Sequence, residues 1–394
     1  MRRIFKEPGI TPEEIHDRIV GGHIHNTLVF LQYFVPLPSS LITLFLILLG
    51  LGGIIVWLPF WIPVFIVYVI FVMSDWFLLK KLPEKRISFA PVIPPLMIFA
   101  TARVIVILTC GILPFDWSVR ILAMGIIQMF MTICEVWGMV FEPFQIKVTH
   151  IEISSEKLQS SVKPVKILHI SDIHIERITK REEDIVRLTN ELNPDLIVLT
   201  GDFINFSYVK DTLAMKDVQR FLNQLYAPCG MYAVRGTFFV DLPSVIPKLL
   251  EDTHVVLLEK EYRKISCNGH TFYIAGLPCN KHPDSDRPEL KELLAQIPCD
   301  HFVLLLYHSP DLFPDAAGKV DLYLGGHTHG GQVCIPGIGP LTTSSMYGRK
   351  YYAGKYTENG TIAYISRGLG MEGLGAPRIR FFCPPELVMI SLGG

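Results

Sequence analysis

An α-helical membrane region followed by a layered α/β domain is what this sequence predicts, and three observations carry that prediction. Four long apolar runs crowd the first third of the chain. After Phe141 the pattern changes to short, β-prone segments alternating with polar helical stretches. Residues of metal-ligand type then follow the C-terminal ends of several of those segments, where open α/β sheets gather their sites.

The composition sets the bounds. At 394 residues and a mean hydropathy of +0.36 the chain is long enough for two domains and too apolar for one soluble domain. A net charge of −1 creates no whole-chain field, so nucleic acid is excluded as an expected partner. The eight cysteines show no Cys-x-x-Cys spacing, and neither a zinc ribbon nor a disulfide framework is expected.

Arg2, Arg3, Lys6 and Arg18 make a basic start without a cleavage site after a short apolar core, so no signal peptide is expected. Ser40 to Leu58 and Trp61 to Leu79 each approach the ~20 residues that cross a bilayer, and they read as a hairpin joined at Pro59. Phe89 to Leu113 and Ser118 to Val140 follow, interrupted by Pro91, Pro94, Pro95, Arg103, Arg120 and Glu135. Trp57, Trp61, Trp76 and Trp117 fall near span ends, where amphipathic rings prefer to sit. The charges inside the spans are expected to pair or to snorkel. Lys80 to Arg86 and the N-terminal segment are basic, whereas the connections near Pro59 and Pro114 are not, which places both basic segments in the cytoplasm. Four spans then return the chain to that side. The expected division is a membrane region over residues 1–141 and a cytoplasmic domain over 142–394.

In the second part, Val165 to Ser171, Pro194 to Thr200, Gly230 to Arg235, Thr271 to Leu277, Phe302 to Tyr307, Val320 to Leu324, Thr361 to Ser366 and Leu387 to Leu392 have strand length and composition. Arg181 to Leu192 and Ala214 to Leu225 carry apolar residues at helical spacing. Asp172 and His174 follow the first strand, Asp202 the second, His308 the fifth, and His327 and His329 the sixth. Singly, each could be a turn or loop residue. Six at one edge point to a metal site, with glycines around His327-Thr328-His329 letting the chain reverse there.

Asp172-x-His174, Gly201-Asp202, His308 and Gly326-His327-x-His329, in that order, resemble the calcineurin-like metallophosphoesterase superfamily. The run Gly326 to Gln332 and the endings Ser366 to Gly370 and Arg380 to Glu386 resemble its bacterial membrane-associated branch. The resemblance implies an αββα sandwich with two divalent metals, manganese, zinc or iron, which together activate a hydroxide. It also implies that Asp172, His174 and His329 hold one metal, that His308 and His327 hold the other, and that Asp202 bridges them. The implied substrate is a phosphomonoester or phosphodiester, a lipid-derived one included, and the implied location is the cell membrane. Neither substrate nor oligomeric state is assigned.

The family's Gly-Asn-His motif departs here to Gly236-Thr237-Phe238. Thr237 offers a poorer oxygen to the second metal than asparagine, and Phe238 cannot act as an acid or charge stabiliser. No catalytic residue is therefore assigned, although His254 or His282 could compensate. Three functions follow: a membrane-anchored phosphoesterase; a degenerate homologue that senses or scaffolds through metal or phosphate; and a membrane function of the spans with a regulatory soluble half.

Overall fold

The computed structural model describes residues 30, 33–58, 60–280 and 283–394; the basic residues Arg2, Arg3, Lys6 and Arg18, the joint at Pro59, and His282 lie outside them. Helices α1 (Ser39–Gly53), α2 (Trp61–Glu84), α3 (Ile93–Ile112) and α4 (Trp117–Val136) come first. With the short turns that extend α1 to Trp57 and α4 to Phe144, all four are long and apolar enough to cross a membrane. At 1.5 Å per residue, about 20 residues span the ~30 Å hydrocarbon layer.

Phe89 does not open the third span. Pro91 disfavours helix before it, and α3 starts only at Ile93, where Pro94 and Pro95 occupy the first turn and cost no hydrogen bond. The freed segment lies against the soluble domain instead: Phe89 is buried in that domain's core, donates its N–H to Glu176 at 2.8 Å and accepts from the Tyr208 hydroxyl at 2.6 Å.

The charges within the spans pair with one another. Arg103 is fully buried, binds Asp75 through two nitrogens and Glu135 at 2.9 Å, and reaches Gln128 and Thr132 at 3.0 Å each. Asp75 is a partner that sequence reading passes over. Arg120 closes the turn between α3 and α4 by donating to the carbonyls of Phe115 and Gly111.

The soluble domain runs β1 (Lys147–Ser154), β2 (Val165–Ile170), α5 (Lys180–Leu192), β3 (Leu196–Leu199), α6 (Thr212–Leu222), β4 (Met231–Ala233), α7 (Ile246–Glu251), β5 (Val255–Leu257), β6 (Glu261–Cys267), β7 (His270–Gly276), α8 (Pro283–Leu294), β8 (Val303–Leu306), α9 (Phe313–Ala316), β9 (Leu322–Gly325), β10 (Cys334–Ile335), β11 (Gly339–Pro340), β12 (Gly354–Glu358), β13 (Thr361–Ile365) and β14 (Glu386–Gly393). One six-stranded sheet has the order β1-β14-β2-β3-β4-β5 and the other β12-β13-β9-β8-β7-β6. In each, four consecutive strands are parallel, so their C-terminal ends lie at one edge.

Alternate residues of each central strand face different layers. Ile167, Val198, Leu304, Leu324 and Ile390 fill the space between the sheets. Leu168 and Leu199 face α5 and α6, while Leu305 and Tyr323 face the layer of Leu290 and Phe313. Burial on both faces is why these strands read as continuous apolar runs. The result is an αββα sandwich. The expected absence of disulfides fails at one place, because Cys229 before β4 and Cys267 at the end of β6 are bonded across the two sheets. Their sequence separation of 38 hides the proximity, which only the stacking of the sheets creates.

Candidate metal centre

Asp172 and His174 leave β2, Asp202 leaves β3, His308 leaves β8, and His327 and His329 leave β9, so the facing edges of both sheets supply the six side chains. They meet in two triads, Asp172 with His174 and His329, and Asp202 with His308 and His327; the ligand atoms within each lie within 4.8 Å of one another. Asp202 also joins the triads, with Oδ2 at 3.4 Å from His174 Nε2 and 3.3 Å from His308 Nε2.

The backbone is bent to achieve this. Asp172, His174, Asp202, His327 and His329 all take left-handed conformations, with φ of 49, 46, 55, 70 and 50°. Each costs of order 1–3 kcal/mol for a residue bearing a Cβ and persists where its surroundings over-determine it. The Asp172 and His174 N–H groups donate to the carbonyls of Gly201 and Asp202, and the His327 N–H donates to the Asp172 carboxylate at 2.9 Å. Gly201 and Gly236 make the close approach below Asp202 feasible, since a Cβ on Gly201 would lie 2.2 Å from the Gly236 nitrogen.

The C-terminal motifs brace the same loops. Leu369 and Gly370 donate to the Asp172 carbonyl, and the Arg380 guanidinium donates to the carbonyls of Gly368 and Gly370. The Cys383 thiol donates to the His329 carbonyl at 3.2 Å.

Burial raises the Asp172 carboxyl above its ordinary range. Burial acts the same way on Asp202, but the His308 imidazole overrides it and holds that carboxyl well below. His308 is pushed up to about 10: burial opposes the charge, but Asp202 and Asp172 impose it. Its Nδ1–H donates to the Thr200 carbonyl at 2.6 Å, which leaves Nε2 facing the carboxylates. His174 and His329 are pushed down by burial, with their Nε2 atoms 3.1 Å apart and their Nδ1 atoms buried without a hydrogen-bond partner. Four imidazoles and two carboxylates, buried and convergent in this way, fit divalent transition metals.

Thr237 stands where the departure from the family pattern begins. Its hydroxyl lies 3.1 Å from Asp202 Oδ2, 3.2 Å from His308 Nε2 and 3.3 Å from His327 Nδ1, inside the second triad. Phe238, next to it, stacks edge-on with Phe239 at 5.6 Å between ring centroids. His254 does not compensate, because it is exposed and precedes β5, at the opposite edge of the sheet.

Sequence reading gives Asp241 no role, yet its buried carboxylate accepts the N–H groups of Asp202, Gly236 and Phe203 at 2.7, 2.7 and 3.0 Å. Nothing in its local spacing marks it, because the three donors come from two separate loops. We expect Asp241→Asn to destabilise the fold by about 1–3 kcal/mol, the cost of a buried donor left unpaired, read as a shift in the denaturant midpoint. An unchanged midpoint would show that water replaces the carboxylate.

A family model described as calcineurin-like phosphoesterase matches residues 165–237, the stretch that holds Asp172, His174, Asp202 and Thr237. The chain is 31% identical over 258 residues, 64% of its length, to the uncharacterized metallophosphoesterase YkuE of Bacillus subtilis, of which it covers 87%. With this fold and this order of residues, the chain belongs to the calcineurin-like phosphoesterase family. It is also 28% identical over 250 residues to the phosphodiesterase YaeI of Escherichia coli, covering 59% of this chain and 84% of that one. To the UDP-2,3-diacylglucosamine pyrophosphatase LpxG of Chlamydia muridarum it is 25% identical over 314 residues, covering 65% and 92%.

Proposed function

We propose that this chain is a membrane-anchored, metal-dependent phosphoesterase, with a membrane region over residues 1–141 carrying the catalytic domain 142–394. The observation that supports it best is the pair of buried triads joined through Asp202. Asp172, His174 and His329 would hold one divalent ion, His308 and His327 the other, and Asp202 would touch both. Bound there, such ions supply Lewis acidity to a phosphoryl oxygen and a water of lowered pKa. The protein's own part is positional. Thr200 fixes the His308 tautomer, Asp241 fixes Asp202, and the Arg380 guanidinium fixes the loops behind Asp172. Phe238 offers no proton to a leaving oxygen, so the reading includes slow turnover.

The likeness to LpxG extends the proposed substrates to lipid-derived phosphate esters. Purified full-length protein in detergent should hydrolyse bis(p-nitrophenyl) phosphate after metal repletion and stop on chelation. Metal-loaded, folded protein without turnover would leave the sensor or scaffold reading in its place.

The domain is proposed to face the cytoplasm. Arg86 of the basic α2–α3 connection donates to the Ile178 carbonyl at 2.7 Å, which supports reading that connection and the domain as lying on the same side of the bilayer. The Cys229–Cys267 bond is the chemistry of an oxidising compartment and bears in the other direction. Reporter fusions after Glu84 and His150 should give a cytoplasmic signal and one at Asp116 an external signal, with both cysteines alkylated when cells are lysed in denaturant without reductant, since Cys267 is buried in the folded domain. An external signal at His150, with both cysteines blocked, would invert the orientation and leave the fold unaltered.

A further inference from the structure

From Lys147 on, eight large hydrophobic residues are exposed among the described residues, and five of them share one place: Ile335, Ile338, Leu341, Met346 and Phe382. The other three, Leu213, Tyr226 and Val256, are scattered and need no explanation. The five belong to the β10–β11 hairpin, the segment after it, and the Phe382 turn. Cys334 donates to the Phe381 carbonyl and Phe381 to the Gln332 carbonyl, which joins hairpin and turn. At the hairpin tip, Gly337 and Gly339 take φ of 78 and 88°, and Ile338 between them is 58% exposed.

This patch is continuous with the membrane region. Arg380 donates its N–H to the Gly138 carbonyl at 2.9 Å, and Cys383 donates its N–H to Glu142, which also accepts from the Trp137 indole at 2.7 Å. Gly138 and Glu142 lie at the end of the fourth span, some 21 to 25 residues from its start at Trp117, so about 32–38 Å along it. Exposed Trp137 and Phe141 flank them, the placement of interfacial aromatics. Charge agrees: from Gln332 to Thr357 there is no acidic residue, and of the basic ones Lys350 pairs with Glu358 at 3.1 Å, which leaves Arg349 and Lys355 to suit anionic headgroups. The site is adjacent, because Cys334 donates to the Gly330 carbonyl and Cys383 to that of His329.

We propose that the β10–β11 hairpin and Phe382 dip into the leaflet on the domain's own side, so that the metal centre opens at the bilayer surface and takes phosphate esters presented from it. The choice of substrate rests on the phosphoesterase reading; the insertion does not. The occupant is the bilayer that the spans already cross.

The test uses full-length protein with the exposed Cys299 and the partly exposed Cys134 and Cys334 replaced by serine, reconstituted into phosphatidylcholine and phosphatidylglycerol vesicles, and carrying an environment-sensitive fluorophore at Ile338→Cys or, as control, Tyr226→Cys. The probe at 338 should shift to the blue and be quenched by spin-labelled lipids, and the probe at 226 should do neither. Equal quenching, or none at 338, overturns the insertion. Ile338→Asp with Leu341→Asp should then lower hydrolysis of hexadecyl p-nitrophenyl phosphate in vesicles by at least about tenfold, the effect of losing the burial of one such side chain. Hydrolysis of bis(p-nitrophenyl) phosphate and metal content should stay unchanged. Loss on both substrates, or on neither, overturns the substrate assignment even if the probe is quenched. If the wild type hydrolyses neither ester, the phosphoesterase reading fails, and the quenching result still decides the insertion.

Discussion

Asp202→Asn and His329→Ala should each strip most of the divalent transition metal from the repleted protein. Asp202 lies 3.4 Å from His174 of the first triad and 3.3 Å from His308 of the second, and His329 completes the first. Altering an outer partner of a metal ligand typically weakens binding 10–100-fold, and changing a ligand should do at least that. The donors of the first triad are complete, whereas the second has Thr237 among its imidazoles, so the first site is expected to be the tighter. Elemental analysis of folded wild-type and variant protein checks both statements. A metal-free wild type after repletion would remove the site, and equal affinities would show that Thr237 or another group serves fully. Stability should follow. Metal at a hundred times its Kd adds about 2.7 kcal/mol, so chelation should lower the melting temperature of the wild type and leave that of the variants almost unmoved.

Thr237→Asn combined with Phe238→His should raise turnover by something on the order of 10²–10⁴-fold, the usual contribution of a positioned proton donor or acceptor. Thr237 already sits within 3.1–3.3 Å of Asp202, His308 and His327, so an amide oxygen introduced there starts from the right loop. The second metal should bind more tightly in the same variant. The aromatic pair Phe238 and Phe239 supplies the competing outcome: if it packs an apolar substrate or seals the loop, a histidine loosens that packing without gain. Hydrolysis of bis(p-nitrophenyl) phosphate by the single and double variants, with folding checked in parallel, decides. A folded, metal-loaded, inert double variant would favour a sensor or scaffold.

Much of this molecule can be read in its sequence because the signals are local. Apolar runs near twenty residues give the spans, and β-prone runs followed at once by Asp or His place the six donors at strand ends without any knowledge of which strands are neighbours. The edge strands escape that reading. β6 and β12 are partly exposed and polar, so they lack the continuous apolar run of the buried strands.

What the tertiary structure decided is long-range pairing. Phe89 belongs to the sandwich core and not to a span, because Pro91 frees it and Glu176 and Tyr208, about ninety and one hundred and twenty residues on, receive it. Cys229 meets Cys267 only because two sheets stack, and Asp241 matters only because two loops bring it three N–H donors. The left-handed backbone at five of the six donors is likewise not settled by residue type, since Asp and His enter that region more readily than most residues but still uncommonly, and local packing decides where. Periodicity and residue type determine which face a side chain presents; which distant segment meets that face is settled by packing the whole chain at once.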